Sequence, residues 1–289
     1  MIIEVIPMQE GVADATLTAY IQDSSLEYHI QGNRPAIIIC PGGAYIGFNE
    51  KEMEPIALRF LSAGYHAFVL KYSIGLGLGR LPAPFIDTAK AVMLVRQNAG
   101  RWGINPNKIY LCGLSTGGHV AATFAATWQE HYLAKALNKE NQMFQPNALL
   151  LGYPLLDMYH FKLKNEERSP EMHNLLEMMF SSAYGTLNPS KQLMEEWSYK
   201  NRVTSHMPPT YLWTTGEDDL VDVQDCFDFM KALIENNISY EFHVFEKGAH
   251  GLSLGDQTVG YSEADMRKLG NSHKWVELAL NWLISVRAS

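Results

Sequence analysis

Short apolar runs alternate with helix-length amphipathic stretches along most of this chain, and that alternation restricts the available folds more than any other feature. Ala36-Ile37-Ile38-Ile39-Cys40 is apolar throughout and opens into Pro41-Gly42-Gly43, as a strand buried on both faces does. Residues 66–72 (HAFVLKY), 108–112 (KIYLC), 148–153 (ALLLGY), 210–215 (TYLWTT) and 240–245 (YEFHVF) repeat the pattern. Between them, residues 52–63, 87–99, 117–129 and 221–235 carry helical spacing, and 273–286 ends the chain with Trp275, Leu278, Trp282 and Leu283 on one helical face. Strands separated by helices imply right-handed crossovers, hence an α/β fold with a mostly parallel central sheet and helices on both faces. The first 30 residues alternate at period two instead, with Leu17, Ala19 and Ile21 on one side. That spacing predicts an antiparallel hairpin at one sheet edge.

With 289 residues, such a chain buries roughly 75% of its unfolded surface, enough for one core without staples. No repeat or linker divides it, so residues 1–289 read as a single domain. One stretch breaks the rhythm. Residues 155–207 hold helical patterns and turns but no convincing strand, and six of the 13 methionines (Met158, Met172, Met178, Met179, Met194 and Met207) fall there. An insertion between two strands is a common site for a small helical cap. The methionines suit either an adaptable ligand wall or the packing of that subdomain.

Gly113-Leu114-Ser115-Thr116-Gly117 follows KIYLC directly and precedes a helical stretch. Strand, sharp turn and helix, with serine at the apex and glycine on each flank, form the turn that lifts a hydroxyl out of the backbone and aims a helix N-terminus at whatever binds it. Glycine at the flanks leaves room for that turn. A serine hydroxyl needs a base to act as a nucleophile. Of the ten histidines, His119 sits on the helix behind Ser115, and His66 and His243 lie within strands. His250, in Lys247-Gly248-Ala249-His250-Gly251-Leu252, follows the strand YEFHVF, at the carboxyl end where a parallel sheet presents functional groups. The orienting acid belongs to the turn Thr215-Gly216-Glu217-Asp218-Asp219-Leu220-Val221. Asp218 is favoured there, because its carboxylate stays in the loop while Val221 opens the next apolar face; the adjacent Asp219 and, after ALLLGY, Asp157 remain alternatives, and Asp219 or Asp222 otherwise reads as an exposed helix-start carboxylate. Donors for an oxyanion are expected from Gly42 and Gly43 and from the Thr116 N–H, since glycines let a backbone approach a substrate. Tyr45, closing that loop, is the expected substrate contact.

These segments together (Cys40-Pro41-Gly42-Gly43-Ala44-Tyr45, the Ser115 turn, Leu212-Trp213-Thr214-Thr215-Gly216-Glu217-Asp218, and residues 247–254) resemble the acetyl esterase and xylan-esterase-like branch of the α/β-hydrolase fold. The likeness runs from about Ile37 to the C-terminal helix. It implies Ser115, Asp218 and His250 as a triad, Gly42, Gly43 and Thr116 as oxyanion donors, and hydrolysis of small acyl esters, often acetylated sugars, through an acyl-enzyme. Ala44 stands where that family usually has a third glycine, Thr116 where it has alanine, and Asp222 where proline is common. None of these removes a catalytic atom. A peptidase of the prolyl-oligopeptidase type would use the same triad, but this chain lacks room for its gating domain. A non-catalytic binding module of the same fold is the other alternative.

Composition limits the partners. Against 31 acidic residues stand 23 Lys and Arg, for a formal charge of -8, and without a basic run nucleic-acid binding is not expected. No apolar stretch reaches the 18 or so residues of a membrane span. Cys40, Cys112 and Cys226 have unrelated spacings, which fits reduced thiols in a cytoplasmic protein, as does the absence of a leader pattern at the N-terminus. No metal-ligand spacing or cofactor motif occurs, so the expected partner is a small-molecule ester with no cofactor; a homo-oligomer stays open.

Overall fold

The computed structural model describes residues 1–8, 15–28, 33–75, 77, 79–199 and 202–286. The link inside the N-terminal hairpin and residues 200 and 201 of the expected insertion lie outside that set. Among the described residues eight strands form one sheet: β1 (Ile2–Pro7), β2 (Thr16–Ile21), β3 (Arg34–Cys40), β4 (His66–Lys71), β5 (Ile104–Leu114), β6 (Ala148–Gly152), β7 (Thr210–Thr215) and β8 (Tyr240–Phe245). Their order across the sheet is β1-β2-β4-β3-β5-β6-β7-β8. The hairpin β1–β2 is antiparallel and joins β4 antiparallel, and every other pairing is parallel. This is the α/β-hydrolase architecture, with the hairpin at the edge that the period-two alternation predicts.

Each central strand divides its side chains between two faces, as a pleat requires. Ile38, Phe68, Leu111, Leu149 and Leu212 belong to one buried layer. Ile37, Ile39, Val69, Cys112, Leu150 and Trp213 belong to the other. The helices Ala83–Gln97, Thr116–Thr127 and Val223–Glu235 cover the first layer through Phe85, Val92, Val120, Phe124, Phe229 and Leu233. The helices Glu54–Ser62 and Trp275–Ser285 cover the second through Ile56, Phe60, Trp275 and Trp282. Because both faces are covered, the strands read as continuous apolar runs.

Between β6 and β7 lie the helices Met158–Asn165, Pro170–Tyr184 and Lys191–Glu196. Phe161, Leu176, Met179, Phe180 and Met194 extend the first core layer into this segment. Four of its six methionines (Met158, Met179, Met194 and Met207) are buried, so most of them pack the segment. Met178 is exposed. Among the described residues no helix is long and apolar enough to cross a membrane. The three cysteines are buried and unpaired.

Two histidines are embedded as neutral groups. His66 in β4 accepts the Gln22 N–H at Nδ1, and His119 meets the Tyr45 hydroxyl at 2.7 Å. Burial lowers each to about 4. The unfolded chain takes up these protons near pH 6.5, so the stability they contribute is complete above that pH and declines as pH falls toward 4. Each group is expected to cost about 2 kcal/mol by pH 5. Urea unfolding from pH 8 to pH 5 checks this. His66→Gln should remove about 2 kcal/mol of the loss between pH 8 and pH 5, and an unchanged slope would contradict it.

Candidate active site

The parallel strands β3, β5, β7 and β8 deliver four loops to one end of the sheet. At the end of β5, Ser115 takes φ 53° and ψ -123° and caps the Thr116–Thr127 helix. This left-handed conformation is unusual for a residue with a Cβ and is held by its surroundings. The surroundings explain the flanking glycines. A Cβ on Gly113 would lie 2.4 Å from the Gly117 carbonyl oxygen, and one on Gly117 would lie 2.0 Å from the Cys40 carbonyl oxygen. The turn is therefore wedged between its own helix and the end of β3. The Ser115 N–H donates to the Gly152 carbonyl at 3.1 Å, fixing the apex to β6.

Three segments far apart in sequence meet at this apex. Ser115 Oγ lies 2.8 Å from His250 Nε2, and His250 Nδ1 lies 2.8 Å from Asp218 Oδ2. Asp218 Oδ1 accepts the N–H groups of Leu220 (3.0 Å) and Val221 (2.9 Å), so one oxygen is anchored by backbone while the other faces the imidazole. The Asp218 side chain is only 1% exposed and that of His250 12% exposed, which leaves the hydroxyl–imidazole pair at the rim and the carboxylate inside. Such a relay can move a proton from Oγ to Nε2 while the carboxylate holds the Nδ1–H tautomer. The other carboxylates are engaged elsewhere. Asp219 pairs with Arg168 at 2.8 Å. Asp222 caps the Val223–Glu235 helix, accepting the Gln224 N–H. Asp157 caps the Met158–Asn165 helix through the N–H groups of Tyr159 and His160.

Aromatic rings support the imidazole from the core side. Tyr153, at the end of β6, stands edge-on to His250 with centroids 5.1 Å apart. Tyr153 also meets Trp213 at 5.0 Å, and Trp213 stacks on Trp275 at 5.2 Å. Such contacts hold a ring's plane as well as its position.

The loop after β3 departs from expectation in two ways. The Gly42 N–H, expected to face a substrate oxygen, donates instead to Glu52 Oε2 at 2.7 Å. It is turned away because the Ser115 Cβ and a buried carboxylate occupy its two sides; a Cβ on Gly42 would lie 2.7 Å from the Ser115 Cβ. The inward-facing amides are those of Gly43 and Ala44, which both donate to Thr116 Oγ1, at 3.0 Å and 2.8 Å. Gly43 (φ 142°), Ala44 (φ 56°) and Tyr45 (φ 59°) make this reversal with positive φ. The Thr116 N–H is the first amide of its helix, a donor without an intrahelical acceptor. The Gly43 and Ala44 amides are thus both held by the Thr116 hydroxyl, and Ala44 takes the place expected of Gly42 in that pair. Tyr45 is the second correction. Its side chain is fully buried, its hydroxyl is engaged by His119 and its ring packs edge-on against Tyr72. It is a core residue that braces the loop from beneath, and it cannot touch a substrate. The next residue, Ile46, is partly exposed and borders a cavity of about 610 Å³ formed with Gly75, Leu187 and Asn174, Met178 and Ser182 of the Pro170–Tyr184 helix.

Sequence reasoning misses Glu52 and Tyr153 as parts of this site, and it finds Ala44 and the Thr116 hydroxyl as departures from the family pattern without finding that one donates to the other. Periodicity gives Glu52 no distinction from any acidic residue at a helix start, and Tyr153 reads as the last residue of a strand. The Thr116 hydroxyl makes a testable contribution. Thr116→Val keeps the shape but turns two amides toward a methyl group, and is expected to lower stability by about 1–3 kcal/mol in urea unfolding. Thr116→Ser should stay near wild type. Equal stability of the valine variant would show that the hydroxyl is dispensable to the loop.

The family profile BD-FAE matches residues 23–233 of the chain. Endo-1,4-beta-xylanase B of Butyrivibrio fibrisolvens is 28% identical over 244 residues, covering 83% of this chain and 35% of that protein. Acetylxylan esterase of Xylanibacter ruminicola is 25% identical over 239 residues, covering 82% of this chain and 44% of that protein. The chain thus spans between about a third and a half of the curated relatives it matches. Among solved structures, the acetyl ester-xyloside bifunctional hydrolase from Caldicellulosiruptor lactoaceticus is 30% identical with a TM-score of 0.76, over 98% of this chain and 96% of that one.

Proposed function

The chain belongs to the BD-FAE family, on the α/β-hydrolase fold, and from that premise we propose that it is a carboxylic ester hydrolase acting through a serine acyl-enzyme on small acyl esters, acetyl esters of sugars first among them. The observation that carries the reading is the relay of two 2.8 Å contacts from Ser115 through His250 to Asp218. In the first step Ser115 Oγ attacks the ester carbonyl carbon as His250 Nε2 takes its proton. Asp218 keeps Nδ1 protonated and stabilises the imidazolium. The negative oxygen that forms is received by the Thr116 N–H, joined by the Gly43 and Ala44 amides once they exchange the Thr116 hydroxyl for it; each such donor is typically worth about 3 kcal/mol. Collapse of the tetrahedral intermediate breaks the bond to the alkoxy oxygen, which leaves as alcohol with the proton from His250. Water then attacks the acyl-serine, gives its proton to His250, and releases the acid as Ser115 recovers its hydrogen.

The acetyl and sugar parts of the proposal draw on the relatives: one is an acetylxylan esterase and one acts on acetyl esters and xylosides, as their names state. Residues 1–289 form one domain in this reading, with the helical segment 155–207 as a cap-like insertion. A cytoplasmic location is part of the proposal, supported by three cysteines that are all buried and unpaired.

A panel of p-nitrophenyl acetate, longer p-nitrophenyl esters, acetylated xylo-oligosaccharides and peptide p-nitroanilides tests the proposal, with Ser115→Ala as control. Turnover concentrated on acetyl esters supports it. Preference for peptide amides would favour a peptidase, and no turnover at all would favour a binding module.

A further inference from the structure

Behind the amide loop lies a carboxylate that the reaction does not use. Glu52 is 1% exposed, and its two oxygens collect three donors: the Gly42 N–H at 2.7 Å, the Tyr153 hydroxyl at 2.8 Å and the Asn49 amide at 2.9 Å. No Lys or Arg bonds it among the described residues. A carboxylate removed from water without a cation is costly, and its retention implies that its donors are what it is there to hold. Those donors belong to separate parts of the site. Gly42 and Asn49 are the two ends of the amide loop, themselves joined by the Asn49 N–H to the Gly42 carbonyl at 2.9 Å. Tyr153 carries the ring that faces His250, and its hydroxyl also accepts the Ser253 N–H at 2.9 Å. The Ser253 hydroxyl in turn donates to the carbonyl of Lys51, the residue before Glu52. One side chain therefore ties the amide loop, the end of β6 and the His250 loop together.

We propose that Glu52 is a positioning residue for the esterase reaction: by taking the Gly42 N–H to one side it turns the Gly43 and Ala44 amides toward Thr116, beside Ser115, and through Tyr153 it holds the His250 loop in register with them. The proposal rests on the esterase reading above. Reversal of one amide is the geometric means. With Gly42 anchored outward, the positive φ values of Gly43 and Ala44 swing the next two N–H groups to the opposite side. An ionised Glu52 would also act on the imidazole of His250. The titratable groups around it are Tyr153, Tyr72, Cys112 and His250. Burial raises the Glu52 pKa, and its donors and His250 oppose that shift. Around His250 stand Asp218 and the Tyr153 ring.

The test uses Glu52→Gln and Tyr153→Phe with p-nitrophenyl acetate, alongside the rate at which a fluorophosphonate labels Ser115. Glu52→Gln keeps an oxygen for Gly42 but loses the second acceptor and the charge. The expected result is a kcat about 100-fold lower with KM changed less than threefold, slower labelling by a similar factor, and an acid limb of kcat/KM displaced to lower pH. A purely structural role would leave that limb in place. Tyr153→Phe removes one strut and should lower kcat about tenfold in a folded protein, which keeps the test decisive if the glutamine variant does not fold. Wild-type kcat and an unmoved acid limb in Glu52→Gln, or unchanged kcat in Tyr153→Phe, would overturn the proposal. Absence of ester turnover by the wild-type protein would instead refute the esterase reading itself.

Discussion

Ser115→Ala is expected to lower turnover of p-nitrophenyl acetate by about 10⁴-fold or more, the scale on which removing the nucleophile acts when nucleophile, base and acid work as a unit. The substitution deletes one oxygen at a site where the left-handed backbone (φ 53°) is fixed by neighbours rather than by the hydroxyl. Ser115 N–H to Gly152 and the N–H groups of Gly118 and His119 to the Ser115 carbonyl survive the change. Folding should therefore be unaffected, with a urea midpoint near wild type, while covalent labelling by a fluorophosphonate disappears. Residual activity should be nearly insensitive to Asp218, because the three groups act as a unit and loss of the nucleophile already removes most of what the relay supplies. Retained turnover, or labelling at a second serine, would place the nucleophile elsewhere.

Gly117→Ala is expected to destabilise the fold by roughly 3 kcal/mol or more, at the upper end of overpacking effects. On propensity alone the sign would be opposite, since alanine in a helix is favoured over glycine by about 1 kcal/mol. Tertiary structure reverses it: the added methyl would lie 2.0 Å from the Cys40 carbonyl oxygen and 2.6 Å from that of Pro41. Both are backbone atoms of β3 and its loop, which yield only by parting the helix from the sheet. The same movement would pull the Gly43 and Ala44 amides away from Thr116, so activity should fall with stability. Gly100→Ala is the control, since Gly100 is also helical but a Cβ there has open space, and its urea midpoint should lie at or above wild type, by up to about 1 kcal/mol in stability. A neutral or stabilising Gly117→Ala would show that the helix N-terminus stands further from β3.

The strands and main helices are legible because a sheet covered on both faces demands continuous apolar runs, and an amphipathic helix demands its own period. Residues 210–215 and 240–245 predict β7 and β8 at their full lengths, and the helix expected at 221–235 begins two residues later, at Val223. The segment 155–207 is legible only as an interruption. Its helices share the core of one sheet face, so their pattern is that of packing and carries no separate signal. Ser115, His250 and Asp218 stand out because the loop positions at strand carboxyl ends are few and the required residue types are specific.

The loop after β3 marks the boundary. Two glycines announce that backbone must reverse close to other atoms, but not which amide points where. Gly42 and Tyr45 were expected to face a ligand; the first is turned outward by Glu52 and the second is sunk against His119. Amide direction depends on the acceptor that waits on either side, and those acceptors, Glu52 and Thr116, come from segments ten or more residues away. Local pattern thus decided which residues could do chemistry and in which kind of fold. Long-range contact decided which way each N–H group is aimed, because a backbone donor is committed by its partner in space and its own side chain says nothing about that choice.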